Sequence, residues 1–495
     1  MSNSPHTVSI HILDNDSLLN IFYLYQPFFL GEDENGFDRV RGGELLGWNQ
    51  GRWWYSLAHV CQRWRNIVLG SASYLGLSLV CTNGTPVANM LELSPPLPLT
   101  INYHSENGIT AEDEEGLLLS LEKRDRIRNF RLILPVRDLQ RLVMAMDEEF
   151  PILEYLIVDR WAKDSTSLLL PETLQAPNLR HPFLGGFTCP IRSLLHPTAV
   201  GLVTVYLLMN HPSTFIQPDV LLRWILSMTR LENLGIIFTV RDHDVESQLT
   251  QTPITTHITL PNLRSFWFRG ICVYFESVIC RIVAPRLENM GIRFFEDFTF
   301  SVPRLVQFTN TTENLRYGNA DIAFRDEEVV IYFHEADKRP FIVGVDWWPL
   351  NWQVSSMAQI SDTHSQVYSA VEQLFLRYEV HSQSSEEVDR MEWRNLLRPF
   401  SNVKTLLVGD ELVEQLSRCL RMEDGEPPLE LLPKLQELAY FGSPNTDDAF
   451  TLFIDARQNA GRPVTLVHPS TKRKRKPFVF SLFSRHHNNE QRSRE

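Results

Sequence analysis

The chain has 495 residues, more than one hydrophobic core usually organises, so two or three domains or one elongated repeat array are expected. Hydrophobic residues make up 43% of the sequence and charged residues 22%, a globular mixture that argues against disorder as the dominant state. The formal net charge of −13 argues against nucleic acid as a partner, because phosphates would be repelled.

The cysteine pattern and the hydropathy indicate where the chain resides. Its 6 cysteines are scattered and form no Cys-x-x-Cys pair, which favours a reduced compartment, the cytoplasm or the nucleus. No basic region followed by an apolar run opens the chain, so no secretory signal is predicted. Since no window of about 18 apolar residues exists, we expect no membrane partner. Residues 201–209 are too short to span a bilayer and are predicted to form a core strand.

The first predicted helix runs from about Asn15 to Tyr25. Its apolar residues lie on one helical arc, and Asp14 precedes the periodic part. The carboxylate of Asp14 can accept the free amide hydrogens of the first turn, so we expect it to cap the helix.

A second amphipathic helix is predicted over residues 53–68. Its apolar positions, Trp53, Leu57, Val60, Trp64 and Ile67, step by four, three, four and three residues. Neither predicted helix is long enough to be stable alone, so each must pack on the other, on the following domain or on a partner. Two ordinary core helices are the alternative interpretation.

The residues of these two helices carry a resemblance to a known family. Those that match are Leu13, Leu18, Leu19, Ile21 and Phe22 in the first half, and Val60, Cys61, Arg63, Trp64 and Arg65 in the second. In this order and spacing the sequence resembles the F-box, whose pattern contains Leu-Leu-x-Ile-Phe and later Val-Ser/Cys-x-x-Trp. It looks most like F-box proteins of filamentous, basidiomycete-type fungi.

The sequence departs from the family pattern in two places. Asp14 stands where the family usually has proline. The interval of about residues 26–52 is longer than the family's usual middle and is rich in glycine and acidic residues, so an exposed inserted loop is predicted there. The F-box domain is expected to occupy residues 1–80.

The resemblance implies binding without catalysis. An F-box binds the Skp-family linker of a cullin-RING (SCF) ubiquitin ligase, while the following domain holds a protein substrate, whose identity here is unknown. The residues that the resemblance places against the linker are Leu13, Leu18, Leu19, Ile21, Phe22, Val60, Cys61 and Trp64. The alternative is a repeat-based protein-binding scaffold with a vestigial F-box and no ligase link.

Residues 81–468 are predicted to form a repeat domain. A pattern Pro-x-Leu-x-x-Leu-x-Φ, in which Φ is apolar, recurs in segments that begin at Pro151, Pro177, Leu231, Pro261, Pro285, Pro303, Val403 and Pro433. Helix-like segments lie between them, at residues 220–230, 275–283 and 410–420. A strand and a helix that recur about every 20 to 30 residues resemble the leucine-rich repeat. The resemblance implies an α/β fold, in which stacked repeats form an irregular, curved solenoid.

Two features of this region deviate from regular repeats. The asparagine or cysteine of the family's ladder is mostly missing, and the interval of about residues 317–401 has no clear repeat. Strands at residues 329–333 and 341–345 are predicted there as an insertion or an irregular sheet edge. An irregular α/β domain with coincidental Pro-x-Leu turns remains the alternative.

Recognition residues are expected on the strand face opposite the packing leucines. The candidates are Glu154, Arg180, Arg264, Trp267 and Glu288. Trp347, Trp348 and Trp352 are aromatic anchors of a type that is enriched at interfaces. An ordinary surface or packing role is the alternative for each of them.

No sequence motif points to an enzyme, a cofactor or a metal. Phosphate-binding glycine loops and the known hydrolase and kinase signatures are absent from the sequence. The segments 334–337 and 242–244 contain His, Asp and Glu but no third ligand at useful spacing, so solvated loops are favoured. Cys272 and Cys280 are interpreted as small apolar residues on a strand and a helix.

Residues 469–495 are predicted to be a disordered basic tail. The run Lys472-Arg473-Lys474-Arg475-Lys476 is followed by a Ser-, His- and Asn-rich stretch that cannot form a core. The run is a weak nuclear localisation signal or an anionic-surface contact, and a solvated tail is the alternative.

Overall fold

The computed structural model of the protein describes residues 10–26, 52–160, 168–171, 173–187, 199–209, 214–239, 256–295, 300–312, 315–335, 338–346, 349–379, 387–421, 430–440 and 449–467. Most of the predicted loop at residues 26–52 and the whole predicted tail lie outside these residues. The chain divides into two compact units, one of residues 1–198 with 478–495 and the other of residues 199–477.

The first unit contains six described α-helices and five strands. The helices are α1 (Asn15–Tyr25), α2 (Trp53–Ala58), α3 (Gln62–Gly70), α4 (Val87–Leu93), α5 (Ala111–Leu121) and α6 (Val136–Met144). The strands are β1 (Leu79–Thr82), β2 (Leu99–His104), β3 (Ile127–Leu134), β4 (Tyr155–Arg160) and β5 (His181–Gly185). The strands pair in chain order and all run parallel. Helices α4, α5 and α6 lie between consecutive strands in the chain, as parallel pairing requires.

The prediction for α1 is confirmed in its bounds and its cap. Asp14 is the N-cap residue, and its carboxylate accepts a hydrogen bond from the amide of Ser17 at 2.7 Å. That bond lowers the pKa of Asp14.

The prediction of one continuous helix over residues 53–68 is wrong. The helix ends at Ala58, and a second one begins at Gln62. Cys61 causes the break, because its backbone is extended, with φ −160° and ψ 169°. Its sulfur then accepts a hydrogen bond from the amide of Trp64 at 3.5 Å and caps the second helix.

Side chains of α2 and of its N-cap residue cover the first edge of the sheet. Trp54 Nε1 donates a hydrogen bond to the carbonyl of Ser78 at 3.2 Å, and Arg52 Nη2 donates to the carbonyl of Val80 at 3.4 Å. Alternate residues of a parallel strand point their backbone groups to opposite sides, so these two carbonyls lie on the side of β1 that β2 does not pair. The capped edge is protected from pairing with another chain.

The second unit contains the remaining described elements. Its helices are α7 (Pro218–Ile225), α8 (Cys272–Ile279), α9 (Pro303–Thr311), α10 (Leu350–Thr363), α11 (Ser365–Tyr368), α12 (Arg390–Leu397), α13 (Val413–Leu420) and α14 (Thr451–Asn459). Its strands are β6 (Thr204–Met209), β7 (Asn233–Phe238), β8 (Ile258–Thr259), β9 (Ser265–Gly270), β10 (Ile282–Val283), β11 (Asn289–Phe294), β12 (Asn319–Arg325), β13 (Glu328–Glu335), β14 (Lys338–Asp346), β15 (Gln373–Glu379), β16 (Thr405–Val408), β17 (Glu437–Tyr440) and β18 (Thr465–Val467).

The main sheet of the second unit is mostly parallel. Its order is β6-β7-β9-β11-β14-β13-β12-β15-β16-β17-β18, while β8 and β10 form a small separate pair. Only β13 runs against its neighbours, β12 and β14. The strands predicted at residues 329–333 and 341–345 are confirmed as β13 and β14. Of the two places predicted for them, an insertion or an irregular sheet edge, the edge is wrong, because both lie inside the sheet and each has a partner on both sides.

Most of the predicted Pro-x-Leu segments lead into a strand, and β6 confirms the core strand predicted within residues 201–209. The segment at Pro303 is the exception: Pro303 is the first residue of helix α9, so this predicted strand is wrong. Proline is well suited to the first helical turn, where its missing N–H is not needed. Helices α7, α8 and α13 overlap the three predicted helical segments.

In three places, an asparagine just before the first leucine or valine of a predicted segment bonds to the preceding turn. The side-chain amide of Asn178 donates to the carbonyl of Pro151 at 2.6 Å, and that of Asn262 donates to the carbonyl of Thr229 at 2.9 Å. Asn402 does the same to Ser369 at 2.6 Å. In each case the acceptor lies in the turn before the preceding strand, so each of these three strand entrances is tied to the one before it.

The two faces of the second unit's sheet differ. On one face, which we call the helix face, the rings of Phe268 and Phe294 pack on Phe275 of α8, with centroids 5.0 and 5.5 Å apart. On the opposite face, the reverse face, the ring of Trp267 lies over Gly291 of the next strand. A Cβ atom added to Gly291 would lie 2.1 Å from that ring.

We expect Gly291→Ala to destabilise the second unit by about 1–3 kcal/mol, because the added methyl group overlaps the Trp267 ring. The measurement is the thermal unfolding midpoint. Trp267→Leu in the same chain should restore part of the loss.

Gly318→Ala is the matched control, because a Cβ atom added there would have no other atom within 4 Å and the backbone of Gly318 is not left-handed. Its stability should change by no more than about 0.5 kcal/mol. Equal effects of the two substitutions would contradict the close approach of Trp267 to Gly291.

Candidate functional site

The first predicted segments form an N-terminal helical module, which we define as residues 10–26 and 52–74. Its interior contains Leu18 and Phe22 of α1, which are 0% and 1% exposed. The ring of Phe22 packs on Trp64 of α3 with centroids 4.8 Å apart, tilted by 59°. Ile67 and Val68 of α3 are buried as well, as are Trp54, Leu57 and Ala58 of α2.

Polar contacts fix α1 against α3. The guanidinium of Arg63 donates to the side-chain oxygen of Asn15 at 2.9 and 3.0 Å and also to the carbonyl of Leu13. These charge-assisted bonds join the two halves of the family resemblance, which are separated by about 50 positions in the chain.

The eight residues predicted to meet the linker fall into three groups. Leu18 and Phe22 are buried. Leu13, Leu19, Cys61 and Trp64 are half-buried. Ile21 and Val60 are exposed, at 42% and 58%. The structure therefore brings the two halves together, but it leaves only part of the predicted set at the surface.

Helix α1 is apolar on almost all sides. Seven of its eleven residues are large and apolar, yet only Leu18 and Phe22 are buried in this chain. Eight of the 21 exposed large apolar side chains of the described residues belong to the module: Ile10, Ile12, Ile21, Tyr23, Leu24, Tyr25, Val60 and Tyr74. A helix that is hydrophobic all round is normally buried, so this concentration indicates an interaction surface.

Three of the four charged residues predicted for recognition form ion pairs. In the first unit, Glu154 forms an ion pair with Arg128 at 3.0 Å, and Arg180 is exposed. In the second unit, Arg264 and Glu288 pair at 3.4 Å. Exposed pairs of this kind contribute little stability, and they lower the charge that a partner would meet.

The aromatic predictions have mixed outcomes. Trp267 is only 7% exposed, so its predicted solvent-facing place is wrong: its ring lies over Gly291 and its Nε1 donates to Ser265 at 3.0 Å. Trp352 is 37% exposed on α10. Trp347 and Trp348 lie outside the described residues.

In the part of the chain that the structure describes, no group of three His, Cys, Asp or Glu side chains could hold a metal ion. Residues 242–244 and part of 334–337 lie outside it. Cys272 begins α8 and Cys280 follows its end, so neither lies on a strand as expected for one of them. No described helix is long and apolar enough to cross a membrane.

A chain of ion pairs on the reverse face of the second unit was not apparent from the sequence. It alternates arginine with acid across six strands, in the order Arg269, Asp346, Arg293, Glu328, Arg325, Glu379, Arg377 and Asp321. The N···O separation is 2.8 Å for Arg325–Glu328 and 3.6 Å for Arg293–Asp346. The chain joins the inserted strands β12, β13 and β14 to the parallel strands on either side.

Two acids of this ion-pair chain have opposite pKa shifts. Burial alone would raise the pKa of Glu328, but the guanidinium groups of Arg293 and Arg325 outweigh burial and lower it. At Asp321, burial raises the pKa to about 6, and the single pair with Arg377 offsets this only in part, while Glu379 opposes ionisation further. The difference is the number of cations in contact: two for Glu328 and one for Asp321.

Comparisons with known proteins assign no family to this chain. No family model matches the chain, and no curated protein matches it. One matching solved structure is described as "Crystal structure of TLR13-ssRNA13 complex". The identity is 13% and the TM-score 0.28, with 79% of this chain covered. The match covers 49% of the other chain, so this chain spans about half its length, and a likeness this slight assigns neither fold nor function.

We expect Asp321→Asn to raise the free energy of unfolding at pH 7 by about 1–3 kcal/mol. Because the folded-state pKa of about 6 lies above the ordinary 3.8, the folded chain holds this proton more tightly than the unfolded chain. The stability that Asp321 contributes therefore falls as the pH rises from about 4 to about 6. Urea unfolding midpoints at pH 4, 5, 6 and 7 should show the gain shrinking towards pH 4.

Glu328→Gln is the matched control with the opposite sign. Its lowered pKa means that its ionised form is favoured in the folded chain, so its loss at pH 7 should cost about 3 kcal/mol or more. That cost should also shrink on acidification. Destabilisation by both substitutions at pH 7 would contradict the distinction between the two acids.

Proposed function

We propose that the chain is an F-box substrate receptor, which links a target protein to an SCF ubiquitin ligase through a Skp-family linker and performs no catalysis. The observation that carries the proposal is the surface of α1, where five of seven large apolar residues are not buried in this chain. The family resemblance of residues 13–22 and 60–65 supplies the identity of the partner. An apolar helical surface of this kind suits a helical partner.

The eight residues have different roles in this proposal. Ile21 and Val60 are exposed and contact the linker, with Leu13, Leu19 and Cys61 at the margin of the contact. Leu18, Phe22 and Trp64 support the linker contact indirectly, because their packing holds α1 and α3 together. Removing them would unfold the module, so they cannot test a contact.

The second part of the proposal concerns the substrate domain. We infer a leucine-rich-repeat-like array, in which parallel strands are stacked into a curved solenoid. Parallel pairing of consecutive strands and the amide bonds of Asn178, Asn262 and Asn402 to the preceding turn support it. Such arrays present protein-binding surfaces.

A second candidate function is a binding scaffold whose helical module only caps the repeat domain. The hydrogen bonds from Trp54 and Arg52 to the outer carbonyls of β1 favour it, because a terminal cap is what a repeat array needs for solubility. Both functions can share this cap, so the exposed face of α1 must distinguish them.

The test is capture of a purified Skp-family linker by the full chain. We expect Ile21→Asp and Val60→Asp each to weaken linker binding by about tenfold or more, because a charge replaces an apolar contact that becomes buried. Both positions are exposed, so the thermal unfolding midpoint should stay within about 2 °C of the wild type.

Leu93→Asp is the matched control, since Leu93 is 82% exposed on α4 of the same unit and lies outside the module. It should leave linker binding unchanged. Failure of the wild-type chain to capture the linker would favour the capping scaffold. Equal capture by the wild type and all three variants would contradict the linker contact at Ile21 and Val60.

A further inference from the structure

One row of side chains crosses the reverse face of the second unit's main sheet. The register of the strands places one residue from each strand in this row, in the order Tyr206, Gly235, Trp267, Gly291, Ile342, Tyr332, Asp321, Phe375, Leu407, Ala439 and Val467. Ten of these eleven residues are aliphatic, aromatic or glycine. Asp321 is the charged member of the row.

Aromatic residues stand on both sides of Asp321. Tyr332 of β13 is its direct partner in the antiparallel pair, and Phe375 of β15 is its partner in the parallel pair. Directly paired side chains on one face lie close enough to touch a common ligand. The side chain of Asp321 is 17% exposed and Phe375 is half-buried, so these two are reached from solvent, whereas Tyr332 is only 6% exposed.

The ion-pair chain leaves Asp321 at its end. Glu328 and Glu379 each contact two arginines. Among described residues, the carboxylate of Asp321 has one cation, Arg377 at 3.0 Å. The raised pKa supports the same conclusion, because it shows that one guanidinium does not offset the burial of this carboxylate. A second cation at Asp321 would complete the alternation.

We propose that Asp321, between Tyr332 and Phe375, is a subsite for a lysine or arginine side chain of a bound protein segment. The carboxylate pairs with the cationic head, and the ring of Phe375 provides a wall that a desolvated cation favours. The Tyr332 ring closes the other side, with the Arg325 guanidinium 5.9 Å from its centroid. The apolar row beyond Phe375, namely Leu407, Ala439 and Val467, receives the neighbouring apolar side chains of the same segment.

This subsite extends the proposed function, because it specifies the chemistry of the segment that the chain binds. It rests on the proposed function only in calling that segment a substrate. The apolar row supplies area, and the single charge fixes which residue of the segment stands opposite Asp321. A segment with an acid or an apolar residue at that point would leave the carboxylate with one cation.

Binding of a basic side chain should depend on pH with a defined sign. The charged and titratable groups that face Asp321 are Arg377 and Glu379 of β15, Arg325 of β12 and Tyr332 of β13. A cation binds the ionised carboxylate, so affinity should rise as the pH increases from about 5 to about 7 and then level off. The arginines stay charged over this range.

The experiment uses the full chain without any linker and two labelled short peptides. One has a lysine flanked by leucines, and the other has norleucine in place of the lysine. We expect the lysine peptide to bind about tenfold more tightly to the wild-type chain at pH 7, as a charge-assisted hydrogen bond provides. Asp321→Asn should remove this preference, while its unfolding midpoint stays at or above that of the wild type.

Glu437→Gln is the matched control, because Glu437 is an exposed acid on β17 of the same unit. It should keep the preference for lysine. Equal loss in both variants would assign the effect to the general acidity of the chain and overturn the proposal. Equal binding of the two peptides by the wild type, including no binding at millimolar concentration, would overturn it as well. No linker is present in this experiment, and the effect of Ile21→Asp on linker capture is a separate measurement. Failure of the subsite and failure of the proposed linker contact can therefore be distinguished.

Discussion

The register of the strands in the second unit is the constraint on which its surface depends. Consecutive parallel strands enter the sheet at the same level, and the amides of Asn262 and Asn402 tie two of these entrances to the preceding turn. Equal entry levels align one residue of every strand in a row. A shift of one strand by one residue would exchange its two faces and break every row at once.

The insertion of β12, β13 and β14 is the point where this register is hardest to keep. One strand must run backwards, so the parallel pairing of the other strands offers it no template. The ion-pair chain lies at this place, and its arginines on β9 and β11 reach acids at the ends of β13 and β14. Buried ion pairs favour the correct register of these strands, because a wrong register would leave buried charges without a partner.

The sequence predicted local structure well where one residue determines it. Asp14 indicated the start of α1, and the Pro-x-Leu turns indicated most strands, because caps and turns depend on neighbours in the chain. The break at Cys61 was missed, since the apolar spacing of Trp53 to Ile67 continues through it without a Pro or Gly. The strand predicted at Pro303 was wrong because proline opens a helix as readily as it precedes a strand.

The candidate sites were predictable only in part, because spacing does not say which apolar residues find partners within the chain. Leu18 and Ile21 have the same character in the sequence, yet one is 0% and the other 42% exposed. The reverse-face row could not be predicted at all. Its members come from eleven strands, and the reversal at β13 decides that Tyr332 and not another residue stands beside Asp321.

The two surfaces differ in how they can select a partner. The exposed face of α1 is apolar, so it gains affinity from area but discriminates poorly between apolar partners. The linker proposed for this face would require no finer selection. The reverse face adds one incompletely paired carboxylate to an apolar row, and burying it without a cation costs more than the row gains from one added contact. Selectivity for a target would therefore come from Asp321 and its penalty against mismatched segments, while the apolar positions set how tightly a matched segment is held.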